Sequence, residues 1–193
     1  ATTSFAGEWN VDETLDSLKT QAIVIGIEHG NEKRLDELTP FPNEKYGGGK
    51  ADDYLYFIVN TLKPYVDKNY RTKQNANNTV IFGSSLGGLV SYYAVLKYPE
   101  IFGKAGVFSP AFWFSDEIYK MTENSKKIKA KIYFLYGDSE SEDMVKDARK
   151  MKHLLDNNRC YCLKLDKIVE VKDGKHNEKL WREGFGKAVL WLL

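Results

Sequence analysis

The amino-acid sequence predicts an α/β fold, a three-layer sandwich in which helices cover both faces of a mostly parallel sheet of about five strands. Three observations lead to this fold class. Short apolar, β-branched segments alternate along the chain with longer segments of helical periodicity. The length of 193 residues is typical of one domain, so we expect a single domain over residues 1–193. The apolar content of 42%, with 12 Tyr, 10 Phe and 4 Trp, is sufficient for one packed interior.

Five segments have the composition of buried strands. Each is a short apolar run that is bounded by turn-forming residues. The predicted strands are residues 22–28, 79–82, 104–109 and 131–136, with a fifth strand inside residues 160–171. In parallel sheets the loops at the carboxyl ends of the strands hold the functional site, so the residues that follow these strands are the first candidates for function.

Four longer segments have apolar residues at helical spacing, namely residues 51–69, 86–98, 142–157 and 177–193. In the first of these segments we expect Pro64 to kink the helix or to restart it, because proline has no backbone N–H to donate. In the last two segments the apolar residues share one face, which we expect to pack inward: Met144, Val145, Ala148, Met151 and Leu155, then Leu180, Trp181, Phe185 and Val189.

Charge and composition argue against several classes of function. The 28 Lys and Arg against 27 Asp and Glu give a net charge of +1, so we expect no nucleic-acid partner and no membrane partner. No apolar run approaches the roughly 18 residues of a spanning helix. Cys160 and Cys162 lie two residues apart in one predicted strand, where we expect small buried side chains and not a disulfide or a metal site. No metal and no organic cofactor is expected.

A G-x-S-x-G motif occupies residues 83–87, between a predicted strand and a predicted helix. This context is the one in which the motif presents a serine nucleophile on a strained strand-to-helix turn. The two glycines are expected to remove side chains that would collide across the turn. The central residue is Ser85, and we expect the backbone N–H of Leu86 at the helix N-terminus to stabilise an oxyanion.

A serine nucleophile needs a base, and the chain has three histidines. His153 lies inside a charged amphipathic helix, where it is expected to face solvent. His29 follows the first predicted strand and is a candidate for lining the site. His176 follows the last predicted strand, and only His176 lies far enough after Ser85 for the chain order serine, acid, histidine. We therefore predict His176 as the base.

The acid is expected in the loop of residues 137–143, which follows the strand of residues 131–136 and contains several carboxylates. Glu140 is favoured because it lies three residues after Gly137, far enough from the strand to turn back towards the histidine. Asp138 remains an alternative, although it is suited to capping the turn. Asp143 also remains open, although acidic residues are common in the first turn of a helix.

In their order along the chain these residues resemble the Esterase family of α/β-hydrolases. The family includes enterochelin-type siderophore esterases, esterase D, feruloyl and acetyl esterases of carbohydrate esterase family 1, and mycolyltransferases. The resemblance covers nearly the whole chain. The matching stretches are residues 26–28, Arg34, residues 37–40, 46–54, 70–72, 83–89, 98–102, 109–114, 137–141 and 174–178, and Trp181.

The resemblance implies an α/β-hydrolase-like fold in which Ser85, Glu140 and His176 occupy the positions of the catalytic triad. It also implies that Phe112, Trp113 and Phe114 lie near the acyl or alcohol pocket. The expected function is a serine esterase for small-molecule carboxylic esters, such as feruloyl or acetyl sugar esters or siderophore lactones. The alternative is a catalytically inactive hydrolase scaffold that keeps the pocket and acts as a binding protein.

One departure from the family concerns the start of the chain. Family members usually begin with three more strands, and the third of these ends in a loop that supplies a second oxyanion donor. Residues 1–13 resemble the segment that follows this loop, so the chain is expected to be truncated at its amino terminus. In the usual strand order of the sheet, the third of these strands lies between the strands of residues 22–28 and 79–82, and this strand would then be missing. We expect a fragment of a longer protein, a strand supplied by another segment or by self-association, or direct pairing of the two strands.

Overall fold

The computed structural model describes residues 7–125, 128–158 and 166–193. In these residues four parallel strands form one sheet in the order β1-β2-β3-β4. The strands are β1 (Val80–Ser84), β2 (Lys104–Phe108), β3 (Lys131–Gly137) and β4 (Asp166–Val171). Because all four run in the same direction, their carboxyl ends meet at one edge of the sheet, as the α/β prediction requires.

Eight α-helices occur in the described residues. They are α1 (Val11–Ser17), α2 (Arg34–Leu38), α3 (Ala51–Phe57), α4 (Lys63–Asn69), α5 (Leu86–Lys97), α6 (Glu117–Asn124), α7 (Glu142–Asn158) and α8 (Glu178–Leu192). Short 3₁₀ turns cover Asn31–Lys33, Ala76–Asn78 and Phe112–Phe114. The expected helices at residues 86–98, 142–157 and 177–193 are therefore confirmed to within about two residues.

Pro64 interrupts the predicted helix of residues 51–69 as expected. A π-helical turn, Ile58–Leu62, separates α3 from α4, and Pro64 is the second residue of α4. Proline cannot donate to the carbonyl four residues earlier, so the wider π turn directly before it adapts the backbone to the missing hydrogen bond.

The sheet has an apolar layer on each face. On one face the buried side chains of β3 belong to an apolar cluster that includes residues of α5, α6 and α7, and on the other face they belong to a cluster with α8, Trp9 and residues of α1. Successive residues of β3 alternate between these layers, with Phe134 in the first layer and Leu135 in the second. This arrangement confirms the expected three-layer sandwich.

The expected strand at residues 22–28 is wrong. In the structure this segment has no regular secondary structure, and its large side chains, including Val24, are exposed to solvent. A strand needs a neighbour for its backbone N–H and C=O groups, and β1 forms the edge of the described sheet without pairing to this segment. The described sheet therefore has four strands, and direct pairing of residues 22–28 with β1 does not occur.

Three further expectations concern the cysteines, membrane-spanning helices and the number of domains. Cys160 and Cys162 lie outside the described residues. No helix in the described ranges is both long enough and apolar enough to span a bilayer. The assignment of residues 1–193 to one domain stays a prediction.

Candidate active site

Ser85 lies on a tight turn between β1 and α5. Its backbone angles are φ 57° and ψ −122°, a left-handed conformation that is costly for any residue with a side chain. Hydrogen bonds hold the turn in place. The Ser85 N–H donates to the carbonyl of Phe108 at 3.0 Å, and the Ser85 carbonyl accepts from the N–H groups of Leu89 and Ala111, each at 3.0 Å. The end of β2 thus supports the strained residue.

The two motif glycines have different roles at this turn. A Cβ atom on Gly83 would lie 2.5 Å from the carbonyl carbon and oxygen of Gly87, so Gly83 is required by the close approach of the two backbones. A Cβ atom on Gly87 would meet no heavy atom within 4 Å. The expectation that both glycines avoid a collision is therefore correct for Gly83 and wrong for Gly87.

His176 lies in the loop after β4, two residues before the first residue of α8. The side chain of Asn177 accepts a hydrogen bond from the Leu180 N–H at 3.2 Å and so caps the start of α8. From this position the Nε2 atom of His176 is 3.2 Å from the Oγ atom of Ser85. The Nδ1 atom is 3.1 Å from the Oε2 atom of Glu140. The imidazole therefore bridges the serine and a carboxylate.

Glu140 lies in the loop after β3, and its side chain is only 1% exposed. The Oε1 atom accepts hydrogen bonds from the Gly137 N–H at 2.9 Å and from the Ser109 hydroxyl at 2.5 Å. These two donors occupy Oε1, so that Oε2 is directed to His176. A buried carboxylate is stable only when it is hydrogen-bonded in this way.

The other acid candidates have different surroundings. The Oδ1 atom of Asp138 accepts from the Asp173 N–H at 2.6 Å and from the Ser139 hydroxyl at 3.0 Å, which is the turn-capping role that the sequence favoured for it. Asp143 lies in the first turn of α7 and is exposed. Of the three candidates, the structure brings only Glu140 into hydrogen-bond contact with His176.

The loops that carry Glu140 and His176 lie directly against each other. The Asp138 N–H donates to the Val171 carbonyl and the Ser139 N–H donates to the Gly174 carbonyl, both at 3.0 Å. A Cβ atom on Gly137 would lie 2.1 Å from the Gly174 carbonyl oxygen, so the contact requires glycine at this position. This fixes the distance between the two loops.

Hydrogen-bond chemistry determines where the protons of the three side chains lie. An ionised carboxylate can only accept, so Nδ1 of His176 donates to Glu140. In a neutral imidazole the other nitrogen is then an acceptor, and the Ser85 hydroxyl donates to Nε2. In this tautomer the lone pair of His176 Nε2 accepts the hydrogen bond from the Ser85 hydroxyl, so Nε2 can take up the hydroxyl proton.

Leu86 is the first residue of α5 and follows Ser85 directly. The N–H groups of the first helical turn have no acceptor inside the helix, and they carry the positive end of the helix dipole. The Leu86 N–H is thus located as the sequence predicted, next to the serine at a helix N-terminus.

The predicted substrate-contacting residues have three different locations. Phe112 is 1% exposed, and its ring packs edge-on against Tyr92 and Phe134, so most of its side chain is buried in the core. Trp113 is 43% exposed and makes an edge contact with Tyr46. His29 lies in the exposed segment after residue 28, where its Nδ1 atom accepts from the Asn31 N–H at 3.1 Å.

An open cavity of about 800 Å³ lies beside Trp113. The segment Phe112–Phe114 lines one part of this cavity, and it begins one residue after Ala111, whose N–H donates to the Ser85 carbonyl. Asp143, three residues after Glu140, lines another part. Ser85, Glu140 and His176 are not among the described residues that line this cavity.

The structure adds two residues that the sequence did not single out as site residues. The Ser109 hydroxyl contacts Glu140, and the Trp181 ring lies edge-on to the His176 ring with 5.1 Å between centroids. Sequence analysis placed Ser109 at the end of a strand and Trp181 on the inner face of a helix. The only signal for either was the resemblance of the surrounding stretches to the family.

One group of clustered carboxylates occurs in the described residues, formed by Glu8, Asp12 and Glu13, whose oxygen atoms lie within 4.8 Å of one another. Exposed carboxylates often cluster at a helix start without an ion, because they interact favourably with the helix dipole. The group does not include Ser85, Glu140 or His176.

Comparison with known proteins establishes the family. The model of the family described as "Putative esterase" matches residues 2–192. The chain belongs to the Esterase family. A relative from Bacillus subtilis, the uncharacterised protein YbbA, is 30% identical over 186 residues, which cover 89% of this chain and 73% of YbbA.

Solved structures share the fold of this esterase-family chain. The BES protein from Bacillus cereus has a TM-score of 0.73 at 22% identity, over 87% of this chain and 66% of that chain. The enterobactin esterase FES from Shigella flexneri, in the presence of 2,3-dihydroxy-N-benzoyl-glycine, has a TM-score of 0.69 at 19% identity. That match covers 86% of this chain and 41% of FES, so the chain spans less than half of the enterobactin esterase.

Proposed function

We propose that this esterase-family chain hydrolyses carboxylic esters with Ser85 as the nucleophile. The observation that carries the proposal is the unbroken contact from Ser85 Oγ through both nitrogens of His176 to Glu140, at 3.2 Å and 3.1 Å. This is the geometry in which a base activates a serine and an acid orients the base. Membership of the Esterase family supports the same class of reaction.

The proposed reaction has two halves. In the first half Ser85 Oγ attacks the ester carbonyl carbon while its proton moves to His176 Nε2. The Leu86 N–H then stabilises the oxyanion of the tetrahedral intermediate, which collapses as His176 returns the proton to the leaving alcohol. In the second half water attacks the acyl-enzyme by the same steps, which releases the acid and restores the Ser85 hydroxyl. Glu140 stays ionised and orients the imidazole throughout.

The nucleophile is tested by a matched pair of serine variants. Ser84 is the neighbouring residue at the end of β1 and forms no part of the proposed proton path. We expect Ser85→Ala to lower kcat for a 4-nitrophenyl ester by about 10³-fold or more, because the covalent step is removed. Ser84→Ala is expected to retain activity. Equal activity of Ser85→Ala and the wild-type chain would exclude the proposal.

For the substrate we propose a carboxylic ester with an aromatic part, such as a feruloyl sugar ester or a siderophore lactone. The exposed Trp113 and its edge contact with Tyr46 support this choice, because aromatic side chains bind aromatic rings by stacking and edge contacts. The chain shares its fold with FES, an enterobactin esterase, which supports a siderophore lactone as one candidate substrate.

The substrate proposal is tested with Trp113→Ala and a control, Tyr65→Ala, which removes an exposed aromatic ring from α4. We expect Trp113→Ala to raise KM for methyl ferulate about 10-fold and to leave KM for a simple acetyl ester unchanged. Tyr65→Ala is expected to change neither value. A Trp113→Ala variant with the same KM for methyl ferulate would contradict the proposal of an aromatic substrate and leave the role of Ser85 standing.

A further inference from the structure

Ser109 is a buried serine that the proposed reaction does not use. It follows β2, it is 1% exposed, and it has a left-handed backbone with φ 41°. Its hydroxyl contacts Glu140 and also accepts a hydrogen bond from the indole N–H of Trp181. We infer that Ser109 and Trp181 form a positioning pair that holds Glu140 and His176 in their working orientation. The inference rests on the proposed function, since it concerns the same reaction.

The direction of each hydrogen bond in this pair follows from the groups involved. The indole Nε1–H of Trp181 can only donate, and it lies 2.9 Å from the Ser109 hydroxyl oxygen. The single hydroxyl proton of Ser109 is therefore free to point at the Oε1 atom of Glu140, 2.5 Å away. Donation by Trp181 polarises the hydroxyl and strengthens its bond to the carboxylate.

Trp181 also reaches the histidine directly. Its ring is perpendicular to the His176 ring, at 90° between planes and 5.1 Å between centroids. A single buried side chain thus limits the movement of the imidazole by packing and the movement of the carboxylate through Ser109. The four side chains form one closed group, in which Glu140 contacts His176 and Trp181 contacts both His176 and Ser109.

The backbone of Ser109 indicates that its hydroxyl has a role. A non-glycine residue with a positive φ costs free energy and persists where the surroundings enforce it. The Ser109 N–H donates to the Leu135 carbonyl at 2.7 Å, which continues the pairing of β2 with β3 beyond the end of the strand. Glycine would adopt this backbone without strain, but it would leave Glu140 Oε1 with the Gly137 N–H as its remaining described donor.

The positioning pair is tested with Ser109→Gly, Trp181→Phe and the double variant. Glycine fits the φ angle and removes the hydroxyl, while phenylalanine keeps a ring against His176 and removes the N–H donor. We expect Ser109→Gly to lower kcat about 10²-fold with KM unchanged, because Ser109 is buried and acts only through Glu140. Trp181→Phe is expected to lower kcat about 10-fold.

The double variant distinguishes positioning from general loss of packing. If Trp181 acts on Glu140 through the Ser109 hydroxyl, the double variant has the same kcat as Ser109→Gly alone, because Trp181→Phe has no further effect once the hydroxyl is absent. Ser91→Ala is the control, since Ser91 is equally buried and donates to the Gly87 carbonyl inside α5 without contacting Glu140. It is expected to keep at least half of the wild-type kcat. Urea unfolding checks that each variant is folded.

Failure of this inference can be separated from failure of the proposed function. A wild-type kcat for Ser109→Gly, or a kcat loss in the double variant equal to the product of the two single losses, overturns the positioning pair while Ser85 keeps its role. A loss in Ser91→Ala as large as that in Ser109→Gly also overturns it. An ester hydrolysis rate that is unchanged in Ser85→Ala overturns the proposed function itself.

Discussion

At the scale of single residues, the site depends on two serines with left-handed backbones at neighbouring strand ends. Ser85 follows β1 with φ 57°, and Ser109 follows β2 with φ 41°. The Ser85 N–H donates to the carbonyl of Phe108, the residue directly before Ser109, so each strained turn supports the other. Strain of this kind is found where function requires a side chain in an unfavourable backbone position.

The strain at Ser85 predicts how its variants differ in stability. Ser85→Ala and Ser85→Gly both remove the nucleophile, but only glycine relieves the left-handed conformation. We expect the free energy of unfolding of Ser85→Gly to exceed that of Ser85→Ala by about 1 kcal/mol. Urea unfolding of the two variants measures this difference. A Ser85→Ala variant that is as stable as Ser85→Gly would show that the turn is not strained.

At the scale of elements, the junction of β1 and α5 is built around one obligatory glycine. A Cβ atom on Gly83 would lie 2.5 Å from backbone atoms of Gly87, while the Cβ position of Gly87 is open. The G-x-S-x-G motif contains both glycines, but the packing of β1 against α5 requires glycine only at position 83.

This asymmetry predicts opposite outcomes for two alanine variants. Gly83→Ala is expected to lower the free energy of unfolding by about 3 kcal/mol, because a backbone contact at 2.5 Å must open. Gly87→Ala is expected to change it by less than about 1 kcal/mol, in the stabilising direction, because alanine is the better helix former. Urea unfolding of both variants tests the pair of expectations. Equal destabilisation by the two substitutions would contradict the geometry of the turn.

A partly buried ion pair in α4 predicts a dependence of stability on pH. Asp67 contacts Lys63 at 2.6 Å and accepts from the Thr72 hydroxyl at 2.7 Å. Burial by itself raises the pKa of Asp67, but the hydrogen bonds from Lys63 and Thr72 outweigh it and lower the pKa below the ordinary 3.8. The unfolded chain therefore binds a proton more readily, so the stabilisation is complete above about pH 5 and is lost as the pH falls through the folded-state pKa.

We expect Asp67→Asn to lower the free energy of unfolding by about 2 kcal/mol at pH 7, because Lys63 loses its carboxylate partner, keeps only the Gln74 carbonyl among its described partners, and remains largely buried. The difference from the wild-type chain is expected to shrink below about pH 4. Glu117→Gln is the control, since the Glu117–Lys120 pair is half-exposed and solvent screens such pairs, so we expect it to contribute little to stability at any pH. Urea titrations at several pH values give the comparison, and a difference that does not depend on pH would contradict the assignment.

At the scale of the whole molecule, one edge of the described sheet is open. β1 is the edge strand, and the segment of residues 22–28 exposes four large apolar side chains with exposed fractions from 39% to 56%: Ile23, Val24, Ile25 and Ile27. An unpaired parallel edge and an exposed apolar run are both surfaces that proteins usually cover.

We therefore expect the 193-residue chain to self-associate in a concentration-dependent way. Val24→Lys is expected to weaken this association, because it places a charge within the apolar run. Tyr65→Lys is the control, since it changes an exposed ring on α4. Sedimentation velocity over a wide range of concentrations measures the association. A wild-type chain that stays monomeric at every concentration would contradict the expectation.

Local patterns predicted much of the fold and of the candidate site. The strand–motif–helix pattern around Ser85, and the positions of Glu140 and His176 after β3 and β4, depend on residues close together in the sequence. Residues 22–28 have the composition of a buried strand, but pairing depends on a partner strand that the segment itself cannot specify. The role of Ser109 depends on contacts with Glu140 and Trp181, which are 31 and 72 residues away along the chain, and no local pattern encodes these contacts.

The central claim is that His176 and Glu140 activate Ser85 as a nucleophile, and covalent labelling tests it most directly. The measurement is the intact mass of the chain after exposure to a fluorophosphonate, with Ser85→Ala, Glu140→Gln and, as the control, Glu142→Gln at the exposed start of α7. We expect a single adduct on the wild-type chain and on Glu142→Gln, much slower labelling of Glu140→Gln, and none on Ser85→Ala. A folded wild-type chain that acquires no adduct, or an adduct that persists in Ser85→Ala, would contradict the claim.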